Sequence, residues 1–431
     1  MQNEIIQALL DWNPWLVGQF PEALLGEPRN YELLNYLEVP EIKIIEGARR
    51  VGKSTLLYQV IYQLYKTKKD VLYVNFEDEI LQKYSLSEVI TAYLERAPIH
   101  YLFVDEIQNC EGWVQVVRKL YDMREMKQIW ISGSNASLIK KEYATLLTGR
   151  NLSIHISPLS FIEFLTFKNI NLKESKGLIL SQKQQIEYKK YFSEHIKYGA
   201  FPAVVNRAVL KKELLLSYFE DFIYKDIVAR HNVNATKIKE LAIYLATNSS
   251  KSFSYRNIAV ALNTHPNTVQ DYCNYLKETF LFEELYKFDY SLKKQYSNDK
   301  KIYCLDVGLA SAVSFKFSED MGRILENLVF IELKRRKKEI YFHKEKVECD
   351  FLIKEGLQIT QAIQVCLSLA EEKTAAREFA GLLEALEMYK LNTGIILTLA
   401  EGGIKEISHN GQQYKVEVMP VWKWLREIGR D

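Results

Sequence analysis

The chain has 431 residues, with 57 Lys and Arg against 55 Asp and Glu, a formal charge of +2. At about 150 residues per domain this length predicts roughly three domains, each able to bury a core. The balanced charge excludes a coat that holds nucleic acid through one global basic field, and 18 Gly, 9 Pro and 5 Cys exclude collagenous, low-complexity and disulfide-scaffold chains.

The cysteines (Cys110, Cys273, Cys304, Cys349, Cys366) are odd in number, widely spaced and without a C-x-x-C pair. Reduced thiols are therefore expected, and no zinc ribbon. No run approaches the eighteen or so apolar residues of a membrane span, and the first residues lack a basic flank with a long apolar core. The expectation is a cytoplasmic chain that meets no membrane.

Residues 1–35 read as a helical extension. From 36 to 157, short apolar runs (EIKIIEG, DVLYVNF, HYLFVDE, KQIWISG) alternate with helical stretches such as TLLYQVIYQLYK. That alternation predicts a parallel sheet covered by helices, with its working residues beyond the strands' C-terminal ends. Residues 158–235 read as a helical lid or linker, 236–292 as a compact helical unit with two short strands, and 293–431 as α/β again.

The segment Gly47–Ala48–Arg49–Arg50–Val51–Gly52–Lys53–Ser54 fits G-x-x-x-x-G-K-[ST], between a strand at 42–45 and a helix at 55–65. Gly47 and Gly52 let successive N–H groups face phosphate oxygens, and the helix N-terminus adds partial positive charge. Lys53 is expected on the β- and γ-phosphates and Ser54 on Mg²⁺, with Val51 and Thr55 completing the ATP cradle and Arg49 and Arg50 touching either phosphate or a neighbouring acid. An apolar strand then delivers Asp105 and Glu106. Asp105 would hold the Mg²⁺ shell, and Glu106 would polarise the attacking water, a pair that separates ATPases from nucleotide kinases. Asn135, after a third strand, is a candidate for the γ-phosphate or the water, with a turn role as its rival. Arg150 is a candidate for transition-state charge, with a surface ion pair as its rival.

The ordered set GARRVGKST, YLFVDEIQ, the Gly112–Trp113 and Leu120–Tyr121–Asp122 pieces, ISGSN, LTGR and PLSFIEFL resembles the prokaryotic, archaeal-type AAA-superfamily ATPases. RILENLVFIEL, ECDFLI, IQVCLSL and TAAREFAGL resemble that family's C-terminal domain of unknown function, which has a restriction-endonuclease-like fold. The resemblance spans nearly the whole chain. It implies ATP binding and hydrolysis with Mg²⁺, without a settled cellular role. The expected fold class is thus α/β: a P-loop parallel-sheet ATPase domain, a helical lid, a winged helix and an α/β restriction-endonuclease-like domain.

In the middle unit, Ser254 can cap a short helix, Asn263–Thr264–His265 can turn, and Pro266 suits a first helical position. Val269, Tyr272, Cys273 and Leu276 then form an apolar stripe opposite Asn267, Thr268, Gln270, Asp271 and Asn274. This is a helix–turn–helix pattern with Phe280–Phe282 and Leu285–Tyr286 as wing strands. Residues 236–290 carry six Lys/Arg and six Asp/Glu, and a neutral module binds DNA weakly, so a protein clamp is an equal reading.

In the C-terminal domain, alternation puts Glu348 and Asp350 on one strand face and Gln364 beside Cys366 on the next, with Glu326 upstream on a helix. The resemblance asks for acid-x-Lys on that second strand. Gln364 replaces the acid and Cys366 the lysine. An amide is a poorer Mg²⁺ ligand and a thiol carries no fixed positive charge, so a degenerate nuclease site that binds without cutting is expected. Lys334–Lys338 is the densest basic run and a candidate DNA-backbone contact; a solvated helix end is its rival. The expected function is a Mg²⁺-dependent ATPase whose nucleotide state places the C-terminal half. A nucleotide-gated DNA-binding regulator is the alternative, and an ATP-dependent DNA nuclease a weaker one. ATP and ADP are the expected ligands, and a homo-oligomer follows if Arg150 serves a neighbour's nucleotide.

Overall fold

The computed structural model describes residues 2–29, 31–134, 147, 149–170, 180–314 and 321–427. They fall into two compact units, 1–157 with 278–280, and 158–277 with 281–431.

The first unit is built on five parallel strands, β1 (Ile42–Glu46), β2 (Val71–Asn75), β3 (Tyr101–Asp105), β4 (Gln128–Gly133) and β5 (Asn151–His155), in the order β2-β3-β4-β1-β5. The strands lie buried between helices, which is why they read as near-continuous apolar runs. Ile42, Ile44, Leu72, Val74, Leu102, Val104, Ile129 and Ile131 share a core with helices α1 (Gln2–Trp12), α3 (Leu86–Leu94) and α4 (Trp113–Asp122). Each such side chain contributes about 2 kcal/mol on leaving water. Helix α1 places Ile5, Ala8 and Leu9 in that core, so the N-terminal extension is part of the unit. Helix α2 (Lys53–Lys66) follows β1. Lys43 is the exception to the apolar pattern: its ammonium donates to the Val39 carbonyl and the Gln128 side chain, and burial lowers it to about 8.

In the second unit, residues expected to form a separate lid share one core with the C-terminal sheet. Phe161 and Phe164 of α5 (Phe161–Phe167) and Tyr188, Phe192 and Ile196 of α6 (Gln182–Tyr198) pack with Leu325, Val329, Phe351, Ile363 and Trp422. Helix α5 starts with a capping box between Ser160 and Glu163. Helices α7 (Lys211–Asp221) and α8 (Ala235–Thr247) lead to β6 (Ser252–Phe253), α9 (Tyr255–Ala261), α10 (Pro266–Glu278), β7 (Phe282–Tyr286) and β8 (Lys300–Cys304). The three strands form an antiparallel sheet in the order β6-β8-β7. The β7–β8 pairing spans positions 292 and 293, so the boundary expected there falls inside a sheet.

After α11 (Val307–Val313) and α12 (Met321–Arg335) comes a six-stranded mixed sheet, ordered β13-β14-β12-β11-β10-β9. Its strands are β9 (Glu339–Lys344), β10 (Glu348–Glu355), β11 (Gln358–Val365), β12 (Thr393–Thr398), β13 (Gly403–His409) and β14 (Gln412–Pro420), with α13 (Glu372–Tyr389) between β11 and β12. The β9–β10 register breaks between Cys349 and Leu352, around Asp350.

Candidate nucleotide site and a second acidic cleft

Strand β1 ends at Glu46 and the chain turns through residues 47–52 into α2. Gly47 (φ 153°), Arg50 (φ 67°) and Gly52 (φ 95°) take positive φ there. Glycine at 47 answers a second demand that sequence spacing does not show. A Cβ would lie 2.2 Å from the Ile156 carbonyl oxygen, where the chain leaving β5 hydrogen-bonds Glu46. No side chain caps α2, so its first N–H groups stay open to an anion.

Lys53 is buried, donates to the Gly47 and Ala48 carbonyls (3.0 Å each) and stands 3.5 Å from Glu106. Asp105, the last residue of β3, accepts from the Tyr73 hydroxyl (2.7 Å) and the Ser132 hydroxyl. Burial and the neighbouring Glu106 raise Asp105, while the Ser132, Ser54 and Tyr73 hydroxyls oppose the rise. Glu106 is buried too, but Lys53 and Arg49 outweigh that and keep it below its ordinary value, and so ionised. It takes φ 49°, a left-handed conformation that costs a non-glycine residue about 1 kcal/mol. In return its carboxylate accepts from Gln108 and, at 2.9 Å, from Ser134.

The structure therefore brings Gly47, Gly52, Lys53, Ser54, Asp105 and Glu106 together at the C-terminal edge of the sheet. Arg49 reaches aside to Glu77 (2.7 Å). Val51 is buried, and Arg50 and Thr55 lie on the loop and first turn. Asn135 lies outside the described residues. Arg150 is not brought into the site. Register pairs Ile42 with Asn151, which puts Arg150 at the opposite edge of the sheet, about 15 Å from the loop at 3.3 Å per residue. There it holds Asp122 at 2.8 Å, so it cannot reach the nucleotide of its own subunit.

Four partners in this unit escape sequence reasoning. Arg29 donates to the Val51 carbonyl (2.7 Å) and the Ser157 carbonyl (2.9 Å), bracing the loop from the N-terminal segment. Tyr73, Ser132 and Ser134 reach the two acids. For Ser132 and Ser134 the only signal is a polar atom at the end of an apolar strand; Tyr73, in the middle of β2, gives none.

In the second unit, Glu326 on α12, Asp350 on β10, and Gln364 and Cys366 at the end of β11 line one cleft of about 580 Å³. Asp350 accepts from the Val365 N–H (2.9 Å), and Gln364 donates to Glu378 (2.6 Å) while accepting from the Asp350 N–H (3.2 Å). Burial raises the Cys366 thiol to about 12, so it stays protonated. The missed residue is Lys301 on β8, which meets Glu326 (2.8 Å), Glu348 (2.7 Å) and Asp350 (3.0 Å). Among the described residues no group of three or more His, Cys, Asp and Glu could hold a metal ion.

The Ser254 hydroxyl accepts from the Asn257 N–H, α10 begins at Pro266, and Val269, Cys273 and Leu276 are buried. Asn267, Gln270 and Asp271 are exposed, and Thr268 and Asn274 partly so. The basic run is largely spent within the protein. Lys334 pairs with Glu283, Arg335 and Arg336 with Glu332, and Lys338 with Glu355. Arg336 also packs on Trp424. All five cysteines are free and buried. Among the described residues no helix is long and apolar enough to cross a membrane.

Residues 39–165 match a family described as an AAA domain, and residues 189–320 match a domain of unknown function. Among solved structures, a Thermotoga maritima RuvB variant aligns over 58% of this chain and 87% of its own, at 11% identity and a TM-score of 0.32. DnaA from Aquifex aeolicus, solved with AMPPCP, aligns over 57% and 86%, at 19% identity and a TM-score of 0.27. Scores of that size carry no inference for this chain. An uncharacterized protein of Haemophilus influenzae is 33% identical over 83% of this chain and 90% of its own length. The uncharacterized protein MJ1544 of Methanocaldococcus jannaschii is 36% identical over 89% of this chain and 88% of its own length, and the chain therefore belongs to the same family, an AAA-domain protein joined to a domain of unknown function.

Proposed function

We propose that this protein binds ATP with Mg²⁺ at the loop 47–54, hydrolyses it, and uses the nucleotide state to place the half that carries the helix–turn–helix. The observation that carries the reading is the convergence of Lys53, Ser54, Asp105 and Glu106 on one sheet edge beside an uncapped helix N-terminus.

The donor set suits Mg²⁺: Asp105 and the Ser54 hydroxyl are hard oxygen ligands. Bound there, the ion would neutralise charge on the phosphate oxygens. Lys53 would leave the loop carbonyls for the terminal phosphates. Its present partners are two neutral oxygens and one acid at 3.5 Å, which a phosphate can replace. The loop amides and the α2 terminus would hold the rest of the phosphate chain. Glu106, ionised and oriented by Gln108 and Ser134, would take a proton from the attacking water. Arg150 belongs to this scheme only across a subunit boundary. Changing Lys53→Ala should remove ATP binding in calorimetry; heat equal to wild type would overturn the assignment.

The unit from α8 to β8 reads as a winged helix, with α10 presenting Asn267, Gln270 and Asp271. A nucleotide-gated DNA regulator rests on that exposed polar face. The internal pairing of Lys334, Arg335, Arg336 and Lys338 removes its second support. Salt-dependent gel shifts with and without ATP distinguish the two.

A further inference from the structure

Lys301 is 1% exposed, among the most buried charged residues in the chain. It lies on β8, the central strand of the three-stranded sheet around the helix–turn–helix, yet its ammonium pairs with Glu326, Glu348 and Asp350, which line the cleft of the six-stranded sheet. Tyr303, two residues on and so on the same face of β8, donates its hydroxyl to the same Glu326 oxygen (2.8 Å). One strand of the small sheet thus completes the acid cluster of the large one.

We propose that Lys301 is the resident counter-ion of this cleft, standing where a divalent cation would have to stand, so that the cleft is assembled by the helix–turn–helix sheet and works without a metal. Three carboxyl groups from α12 and β10 at 2.7–3.0 Å take the ammonium's three N–H donors and leave none spare, while burial and Asp350 push Glu326 up to about 8. The remaining Asp350 oxygen is taken by the Val365 N–H, and Gln364 is taken by Glu378 and the Asp350 N–H. A metal bound between these three acids would have to displace the ammonium, which lies against the Phe342 ring. Burial alone would strip the lysine's proton, but Glu326, Tyr303, Asp350 and Glu348 outweigh it and keep the charge. The assembly also makes the small sheet a structural part of the cleft, because a β8 displaced from α12 would take Lys301 from Glu326 and Asp350 and leave Glu348 with Lys344.

The test is Mn²⁺ titration of the full chain without nucleotide, beside thermal unfolding in EDTA. Wild type and Asp350→Asn should take up the same number of Mn²⁺ equivalents, since the sites at Asp105 and Glu106 are common to both. Lys301→Met should unfold about 10 °C lower in EDTA. It should bind one Mn²⁺ more than wild type, at least tenfold tighter than any cleft binding in wild type, and recover part of the lost stability with it. Lys301→Arg should keep wild-type stoichiometry. An extra equivalent in wild type that Asp350→Asn loses would overturn the proposal without needing the Met variant to fold. So would a Lys301→Met protein as stable as wild type in EDTA.

Discussion

The two units each bury a lysine among acids, and the difference between them is the number of acids. Lys53 has one carboxylate at 3.5 Å and two neutral carbonyls. Lys301 has three carboxylates at 2.7–3.0 Å. A buried charge with one loose partner can exchange it for an incoming phosphate at little cost, whereas taking one partner from a closed cluster leaves several uncompensated charges. The same chemistry therefore leaves an exchangeable partner in the first unit and a closed cluster in the second. What decides is how completely the acceptors are already used.

The contrast can be broken most sharply at Glu106. Glu106→Gln should lower ATP turnover by about 100-fold or more while ATP binding survives in calorimetry. Turnover within a few-fold of wild type would mean that this acid is as structural as those around Lys301. A second difference lies in acid response. His195 is fully buried between Phe161 and Phe164, and burial with Arg335 lowers it from 6.5 to about 3. The native state binds that proton less well than the unfolded chain. The contribution is whole above pH 6.5 and is lost as pH falls toward 3, at up to about 1.4 kcal/mol per unit. Urea unfolding at pH 7 and pH 4.5 should show a smaller loss in His195→Phe than in wild type; parallel losses would remove His195 as the cause. The smallest effect belongs to Tyr73→Phe, which deletes the hydroxyl shared by Asp105 and Tyr58 and should cost about 1–2 kcal/mol of first-unit stability in denaturant titration. Asp105 keeps Ser132, so a loss of several kcal/mol would show the phenol to be far more central than its two bonds suggest.

The loop with its flanking strand and helix was legible because it is contiguous, and the Asp105–Glu106 pair because it ends its own apolar strand. Positions defined by register were harder to read. Arg150 looks like a catalytic arginine in sequence, and only the pairing of Ile42 with Asn151 shows that it sits at the wrong edge. Its rival reading as a surface ion pair is the one that Asp122 supports. Lys301 was invisible for a stronger reason. In KKIYC it looks like any charged residue at a strand start, and its partners lie 25 to 49 residues away on a helix and on another sheet. The basic run fails in the converse way. Five adjacent cations suggest a patch, but a helix sends neighbouring side chains in different directions, and four of them find acids in their own chain.

Arg29 has a practical consequence. The recognised AAA segment starts at residue 39, and a truncated clone begun there would seem a natural minimal catalytic piece. It would omit the guanidinium that ties the Val51 carbonyl to the Ser157 carbonyl, together with the Ile5, Ala8 and Leu9 side chains that seal the sheet's helical cover. A clone meant to keep the first unit's core and its loop brace begins at the first helix.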